Sequence, residues 1–502
     1  VVRGPSSTYY GSDALGGVVQ LFPRVHERLE VAAGYQSQGD ENYQAIGWGR
    51  DGWSLGLARR HAISAETPDG DRIPSGFEQF SGTLRRRWES GGLSWDTLLL
   101  GSAGREIEKA STDFPDRITI YPEENHLLLK LGVTGESGWT ASVYAHPNDL
   151  VTDVLRPGES RSLVENESTE LGASFRQRFF GESNHSVAVG AEYFGRRGVD
   201  AIETDIDLSG AGSTTTRRTL DGAEEDQLGA YGAFEWHLGE VNLTAGLRGT
   251  WQRQANEGFS SRDDTALSGF VGTVAPLGGG FELVANVGSG LRFPTLSERF
   301  FSGTTGRGGV IGNPDLDAER SLSADLGLRW FGERLFVSGY VFRNEIDDYI
   351  ERVEVADDLL SFVNLTSGRI QGLELAGSYS LRPAVSLSFG GHLLDGESDE
   401  DQPLADVPAD RLHLGLDGSH RRWTWAARLE HRTSKSEVGE GERPIPAADL
   451  VSASVGFDFG DGFTLTVSGE NLLDEAYFNS ADDKVPLAAG RSVGVTVRWR
   501  QP

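Results

Sequence analysis

The stretch VNLTAGLRGTWQ, residues Val241–Gln252, alternates between apolar and polar side chains over its whole length. The same alternation occurs in VSASVGFDF (Val451–Phe459) and in VGVTVRW (Val493–Trp499), near the end of the chain. Successive side chains of a β-strand point to opposite faces, so each stretch predicts a strand with one apolar and one polar face. No long segment has the period of an α-helix. The pattern therefore indicates an all-β chain with about 22 strands.

Connections between these predicted strands alternate between short and long along nearly the whole chain. The short ones are rich in Gly, Asp, Asn and Pro, as tight hairpin turns require. They are Arg50–Gly52, Glu89–Gly92, Gly135–Gly138, Gly181–Asn184, Leu238–Glu240, Pro276–Gly280, Phe331–Arg334, Arg382–Ala384, His420–Arg422 and Gly460–Gly462. The long ones include Ala62–Glu78, Gly104–Asn125, Asn148–Glu165, Gly198–Glu224, Pro294–Ala318 and Asp474–Ala489. Short periplasmic turns alternating with long extracellular loops are typical of outer-membrane barrels.

The sequence therefore predicts a 22-stranded antiparallel transmembrane β-barrel in the bacterial outer membrane. Its apolar faces contact the lipid bilayer, and its sheet closes because backbone groups in hydrocarbon must all be paired. Its polar faces line a wide lumen, which in barrels of this size is normally plugged. Two alternatives are a passive diffusion porin and a soluble β-propeller. A propeller would show a repeat of about 40 residues, and the sequence contains none.

Composition excludes several classes of protein. Lys and Arg number 46 against 75 Asp and Glu, so the net charge is −29, which disfavours nucleic acid as a partner. Cys and Met are both absent, which removes disulfides, iron–sulfur clusters, thiol nucleophiles and thioether ligation of copper. The sequence contains no uninterrupted stretch of roughly 18 apolar residues, so it predicts no membrane-spanning helix. No cofactor is expected.

Five segments resemble TonB-dependent outer-membrane receptors, in the order in which that family has them. RGPSSTYYGSDALGGVVQLFPR (Arg3–Arg24) resembles the end of the family's plug domain, and ENLLDEAYF (Glu470–Phe478) resembles the box before its last strand. The other three are LRFPTLSERF (Leu291–Phe300), GNPDLDAER (Gly312–Arg320) and SGRIQGLELAGSY (Ser367–Tyr379). The resemblance implies two parts, the end of a plug in residues 1–25 and a barrel in residues 26–502.

The same resemblance implies TonB-dependent import of a scarce nutrient, such as a ferric siderophore or a cobalamin-like ligand, by a monomeric receptor. Most of the plug and any TonB box lie outside the sequence, so this chain by itself is not expected to be energised. Family haem receptors typically carry a His between the segments that correspond to Leu291–Phe300 and Gly312–Arg320. Phe293–Ala318 contains none, which disfavours haem.

Neither an enzyme nor a metal site is expected. Gly52–Gly56 matches the G-x-S-x-G elbow, but it lies in an alternating strand rather than a strand–turn–helix. Asp205–Gly210 imitates the start of a calcium loop, yet position twelve is Thr216 rather than Glu. The acidic run Asp395–Asp410 predicts a charged extracellular loop.

Aromatic and arginine side chains in the predicted loops are the candidate ligand-binding residues, because arginine recognises anions and aromatic rings stack on flat ligands. They are Phe114, Tyr121, Phe259, Arg299, Phe300, Phe301, Arg307, Tyr477 and Phe478. Packing of loop against loop is the alternative role for each of them. Arg3, Gly4 and Gly11 are expected to be structural residues of the plug.

Overall fold

The computed structural model describes residues 2–3, 7–180, 184–210, 212–305, 308–357, 359–365 and 367–502. Twenty-two antiparallel strands form one closed barrel, so the predicted fold class is confirmed and the β-propeller alternative is wrong. In chain order the barrel strands are β1 Glu30–Gln36, β2 Glu41–Arg50, β3 Trp53–Ala62, β4 Phe77–Ser90, β5 Leu93–Lys109, β6 Ile118–Gly135, β7 Trp139–Arg156, β8 Ser160–Phe180, β9 His185–Asp207, β10 Thr214–Leu238, β11 Val241–Ala255, β12 Arg262–Gly278, β13 Phe281–Arg292, β14 Glu319–Phe331, β15 Leu335–Asp347, β16 Ser367–Arg382, β17 Val385–Ser398, β18 Arg411–His420, β19 Trp423–Arg432, β20 Ala448–Gly460, β21 Phe463–Glu470 and β22 Ser492–Arg500.

Strands β1 and β22 pair with each other and close the barrel, with Val31 opposite Trp499. Exposure follows the predicted alternation. On β11 the outward Leu247 is 62% exposed, whereas the inward Arg248 beside it is 4% exposed. On β12 Leu267 and Ser268 differ in the same way, at 75% and 1%. The outer face of the barrel is therefore apolar and the inner face polar, as a lipid-embedded barrel requires.

All ten predicted short connections join consecutive strands at one end of the barrel. Several are two-residue turns such as Asp461–Gly462, where both residues have positive φ, 48° and 82°. A turn of that hand matches the twist of the flanking strands. Ten of the 11 tryptophans lie within three residues of a short turn or of the end of β22. Tryptophan is enriched where a membrane meets water, so this end marks one membrane interface.

Strands β6–β10 contain 18 to 25 residues each, more than the roughly 9–11 that cross a bilayer. The expected long loops at Gly104–Asn125, Asn148–Glu165 and Gly198–Glu224 are therefore largely strand, and that part of the prediction is wrong. Only residues 157–159 separate β7 from β8. These hairpins continue beyond the membrane, where neither face contacts lipid, so the alternation that marks a strand fades.

A small sheet stands above the end of the barrel opposite the short turns. It pairs Ser302–Thr305, Gly308–Ile311, Leu359–Asn364 and Ile350–Ala356, in that order. A helix, α2 (Leu296–Phe300), precedes it in the β13–β14 connection. A two-stranded ladder, Ala65–Glu66 with Arg72–Ile73, and a 3₁₀ turn, Gln38–Asp40, complete the elements at this end. Within the described residues, no helix has the length and hydrophobicity needed to cross a bilayer.

The first described residues lie inside the lumen. Helix α1 (Ser7–Tyr10) packs against the inner wall of β11–β13, where the ring of Tyr9 lies 5.7 Å from that of Tyr231 and 5.5 Å from that of Phe270. Two short strands, Val2–Arg3 and Gly17–Val18, pair antiparallel beside it. The chain then passes along the wall at Gly47 and Gly49, where an added Cβ would overlap His26.

Candidate functional site

The β13–β14 connection begins with a capped helix that turns it back over the lumen. The hydroxyl of Thr295 accepts a hydrogen bond from the Glu298 amide at 3.1 Å, and the Glu298 carboxylate accepts one from the Thr295 amide at 2.7 Å. This reciprocal capping box is encoded by the sequence TLSE. Arg292, at the end of β13, also donates to the Glu298 carboxylate at 2.9 Å. The start of α2 is therefore fixed to the barrel rim.

Arg299 is held inside this connection rather than on its surface. Its side chain is 2% exposed and donates to both carboxylate oxygens of Asp264, at 2.7 and 3.2 Å. It also donates to the Gln254 side chain at 3.1 Å and to the Leu316 carbonyl at 2.7 Å. The guanidinium thus joins α2 to strands β11 and β12 and to the far end of the connection.

Phe300 and Phe301 belong to the apolar core of the loop layer, at 2% and 7% exposure. That core includes Val310 of the small sheet and Leu220 of β10. Phe259, which is 47% exposed, covers this core from outside, with its ring 5.3 Å from that of Phe300. The aromatic candidates on this side therefore hold the loops together.

An open cavity of about 580 Å³ lies beneath this layer, at the ends of β5–β8 farthest from the short turns. Its size is within the range of small-molecule sites. Aromatic side chains form part of its wall, namely Tyr121, Phe301 and Phe362. Four cationic side chains also line it, Lys109, Arg117, Arg352 and Lys484, and none of the lining residues that the structure describes is Asp or Glu. We take this cavity, with these seven side chains, as the candidate ligand site.

The cations of the candidate ligand site are placed by their neighbours. The ammonium of Lys109 lies 4.7 Å from the centre of the Tyr121 ring, a cation–π contact. Asp113 accepts hydrogen bonds from both Arg117 and Lys484, the latter at 3.1 Å. A single carboxylate is thus shared by two cations. The candidate ligand site is therefore positive and aromatic, a combination that fits an anionic ligand with flat apolar groups.

Three further predicted ligand residues, Phe114, Tyr477 and Phe478, are not among the residues that line this cavity. Each ring instead contacts a cation: Phe114 lies 5.3 Å from Arg72, Tyr477 5.0 Å from Arg432, and Phe478 4.1 Å from Arg443. Arg307 lies outside the described residues. Of the eight predicted residues that the structure describes, the cavity brings together only Tyr121 and Phe301.

Sequence reasoning missed the cations of the candidate ligand site, although one signal was available. The chain has only four lysines, and two of them, Lys109 and Lys484, line this cavity. They are 375 positions apart in a chain of 502 residues, so only the closure of the barrel brings them together. The G-x-S-x-G match lies in a turn and β3, where the Ser54 hydroxyl accepts a hydrogen bond from the His26 amide at 2.8 Å.

The predicted plug residues can be placed in part. Gly11 has φ of 81°, a conformation that favours glycine, and an added Cβ there would come 3.1 Å from the Arg248 guanidinium. The backbone of Arg3 pairs with Gly17, and Gly4 lies outside the described residues. The hydroxyl of Ser7, which is fully buried, accepts from the Leu291 amide at 3.0 Å.

Burial and nearby charges shift the pKa of one carboxyl group in the small sheet. The pKa of Glu351 is raised above its ordinary value of 4.5, first by burial and then by the nearby carboxylates of Glu440 and Asp406. This carboxyl therefore favours its protonated form more than a free glutamate does.

Comparison with known proteins gives a consistent result. The model of the TonB dependent receptor-like β-barrel family matches residues 23–472. The vitamin B12 transporter BtuB of Vibrio vulnificus (strain YJ016) is 24% identical over 530 residues, covering all of this chain and 79% of that protein. Among solved structures, the copper transporter OprC aligns with a TM-score of 0.83 at 17% identity, covering 99% of this chain and 85% of its own. The ferric yersiniabactin uptake receptor FyuA from Yersinia pestis aligns with a TM-score of 0.77 at 16% identity, covering 99% and 84%.

Proposed function

The chain belongs to the TonB-dependent receptors, outer-membrane proteins that import nutrients, and on that premise we propose that it imports an anionic metal chelate of the ferric-siderophore class. The candidate ligand site carries this proposal. Its wall, as far as the described residues form it, combines four cationic side chains and three aromatic rings with no carboxylate. A siderophore complex with carboxylate or catecholate groups would present the complementary charge and flat surfaces.

The family assignment favours active import over the passive-porin alternative. Import in this family is driven through the TonB complex, so we propose that complex as a partner of this receptor. We also propose residues 1–25 as the end of the plug and residues 26–502 as the barrel. Contacts of α1 with the inner wall support that division. A monomer remains our prediction.

Cobalamin is the second candidate ligand, favoured by a match over the whole of this chain to 79% of a vitamin B12 transporter. Cyanocobalamin is neutral overall, so its binding would depend little on the cationic wall. Copper bound through sulfur is disfavoured, because the chain contains neither Cys nor Met.

Binding of three defined probes tests the proposal. Ferric citrate, a ferric tris-catecholate and cyanocobalamin are titrated against the detergent-solubilised protein, with tryptophan fluorescence and calorimetry as readouts. We expect one of the anionic chelates to bind, and Lys109→Gln and Lys484→Gln each to weaken it about tenfold, since a hydrogen bond to a charged group contributes roughly 1.5–3 kcal/mol.

Arg422→Gln is the matched control, because Arg422 lies in a short turn at the opposite end of the barrel. Its affinity should equal that of the unchanged protein. Binding of cyanocobalamin alone, unaffected by the lysine variants, would replace the siderophore proposal with the cobalamin one. Equal weakening by Arg422→Gln would show that the cavity is not the site.

A further inference from the structure

Two histidines face each other on the lumen wall, about midway along β6 and β7. Nδ1 of His126 lies 3.2 Å from Nε2 of His146, and the rings are stacked with centroids 5.3 Å apart. The neighbouring Leu127 points outward at 48% exposure, which places the imidazole of His126 on the inner face. Both side chains are partly exposed, at 36% and 23%, and are therefore open to solutes in the lumen.

The outer nitrogen of each ring meets a carboxylate. Nε2 of His126 lies 3.3 Å from Glu124, and Nδ1 of His146 lies 3.0 Å from Glu170. The second oxygen of Glu170 accepts a hydrogen bond from Arg196 at 2.8 Å. The wall thus carries a continuous row, carboxylate–imidazole–imidazole–carboxylate, ending at a guanidinium.

Counting protons shows that two neutral imidazoles cannot satisfy this row. A neutral imidazole carries one N–H and one lone pair. The three contacts need three protons, but two neutral rings supply two. If the middle contact were a hydrogen bond, one of the carboxylates would face a bare nitrogen lone pair. Either a third proton is present, or a cation lies between the two facing nitrogens.

A metal ion would satisfy every member of the row. Each ring would give its lone pair to the metal and donate its N–H to its own carboxylate. This carboxylate–histidine–metal arrangement is the usual support of a histidine ligand, because it fixes both the tautomer and the ring orientation. The geometry also fits, since two Zn–N bonds of about 2.0–2.1 Å at a tetrahedral angle place their nitrogens about 3.3–3.4 Å apart.

We propose that His126 and His146 form a two-histidine binding site for a divalent transition-metal ion, with Glu124 and Glu170 as supporting carboxylates. Within the described part of the chain, no group of three or more His, Cys, Asp or Glu side chains is arranged to hold a metal. The dyad therefore leaves the remaining coordination positions to water or to a donor group on a molecule in the lumen. The inference does not depend on which ligand the outer cavity takes.

Selectivity follows from the ligand type. Imidazole suits Cu²⁺, Ni²⁺ and Zn²⁺, with Cu²⁺ the tightest, whereas Mg²⁺ and Ca²⁺ prefer oxygen ligands and should not compete.

Titration of Cu²⁺ and Zn²⁺ into the tag-free protein in detergent tests the site. We expect one equivalent to bind, with millimolar Mg²⁺ having no effect. His126→Gln and His146→Gln should each weaken binding at least tenfold, because either change leaves a single imidazole. His237→Gln is the matched control, since His237 is a 47% exposed residue near a short turn, and it should bind as the unchanged protein does.

The electron paramagnetic resonance spectrum of the Cu²⁺ form gives a second measurement that needs no variant. Hyperfine splitting from two equivalent imidazole nitrogens is expected, falling to one in either glutamine variant. Heat-modifiable migration in gels checks that each variant keeps its barrel. Absence of stoichiometric Cu²⁺ binding, a spectrum without two imidazole nitrogens, or unchanged affinity in both glutamine variants would overturn the site.

Discussion

Replacement of Arg299 by methionine separates a structural role in the loop from a direct role in ligand binding. Methionine keeps much of the apolar stem but removes all four hydrogen bonds that the guanidinium makes to Asp264, Gln254 and Leu316. It also leaves Asp264, only 20% exposed, without its cation. Breaking a buried pair from one side costs about 3–5 kcal/mol.

That cost should appear as local opening of the β13–β14 connection, because the barrel itself is untouched. At about 1.36 kcal/mol per tenfold change, amide exchange in peptides covering residues 293–305 should accelerate by about two to four orders of magnitude. The ceiling is the local stability of the connection. Peptides from β13 should exchange as before. Hydrogen-exchange mass spectrometry of the detergent-solubilised protein makes both comparisons in one experiment.

Arg262→Ala is the matched control, because Arg262 pairs with Asp315 on the same connection but in the open. The two side chains are 42% and 83% exposed, and a surface pair contributes about 0–1 kcal/mol. Its removal should change exchange by at most about fivefold. The reasoning would be refuted if Arg299→Met and Arg262→Ala gave equal exchange. Weaker ligand binding by Arg299→Met with unchanged loop protection would instead make Arg299 a direct ligand contact.

Two further changes test the barrel entry and the small sheet. Gly49→Ala should lower the thermal midpoint of unfolding, because the added Cβ would overlap the His26 carbonyl. Gly232→Ala is the control and should not lower it, because nothing lies within 4 Å of the added carbon. Equal midpoints for the two variants would show that the segment around His26 does not pack against Gly49. Glu351 has a raised pKa, so it contributes stability below its unfolded pKa that is lost as the pH rises through the higher folded value. Glu351→Gln should therefore increase the protease resistance of the small sheet at pH 7 and not at pH 4. Replacement of the exposed Glu354 by Gln is the control. A gain at both pH values would contradict a raised pKa of Glu351.

Strand number and topology could be predicted from the sequence because lipid imposes a two-residue period on every membrane-crossing strand. The pattern at Val241–Gln252 maps onto β11, where Leu247 faces outward and Arg248 inward. Turns could be predicted for a related reason. The commonest two-residue hairpin turns have positive φ, and residues such as Asp461 and Gly462 adopt it at low cost.

Strand ends could not be predicted in the same way. Beyond the bilayer both faces of a hairpin contact water or loops, so Asn148–Glu165 shows no alternation although β7 and β8 pair through it in register. Tyr121 accordingly lies in strand β6 and not in a loop. Backbone pairing maintains those strands together with cross-strand contacts such as Arg161 with Asp153, and neither imposes a two-residue apolar period.

The candidate ligand site was hidden for a different reason. Its seven side chains come from β5, the β5–β6 connection, β6, the β13–β14 connection, the small sheet and the β21–β22 connection, and nothing local to Lys109 or Lys484 indicates that they meet. Residue type also cannot separate Phe300, which is buried in the loop core, from Phe301, which is buried yet reaches the cavity wall.

Net charge illustrates the same limit on what composition can say about a site. A charge of −29 would suggest a partner that is cationic, yet the described residues of the cavity wall include four cations and no carboxylate. Screening reconciles the two, because charges separated by more than about 8 Å in physiological salt scarcely interact across water. The acidic residues distributed over a barrel of this size therefore contribute little inside one cavity. A bound ligand experiences the few side chains that touch it, and in the candidate ligand site those include lysines, arginines and aromatic rings.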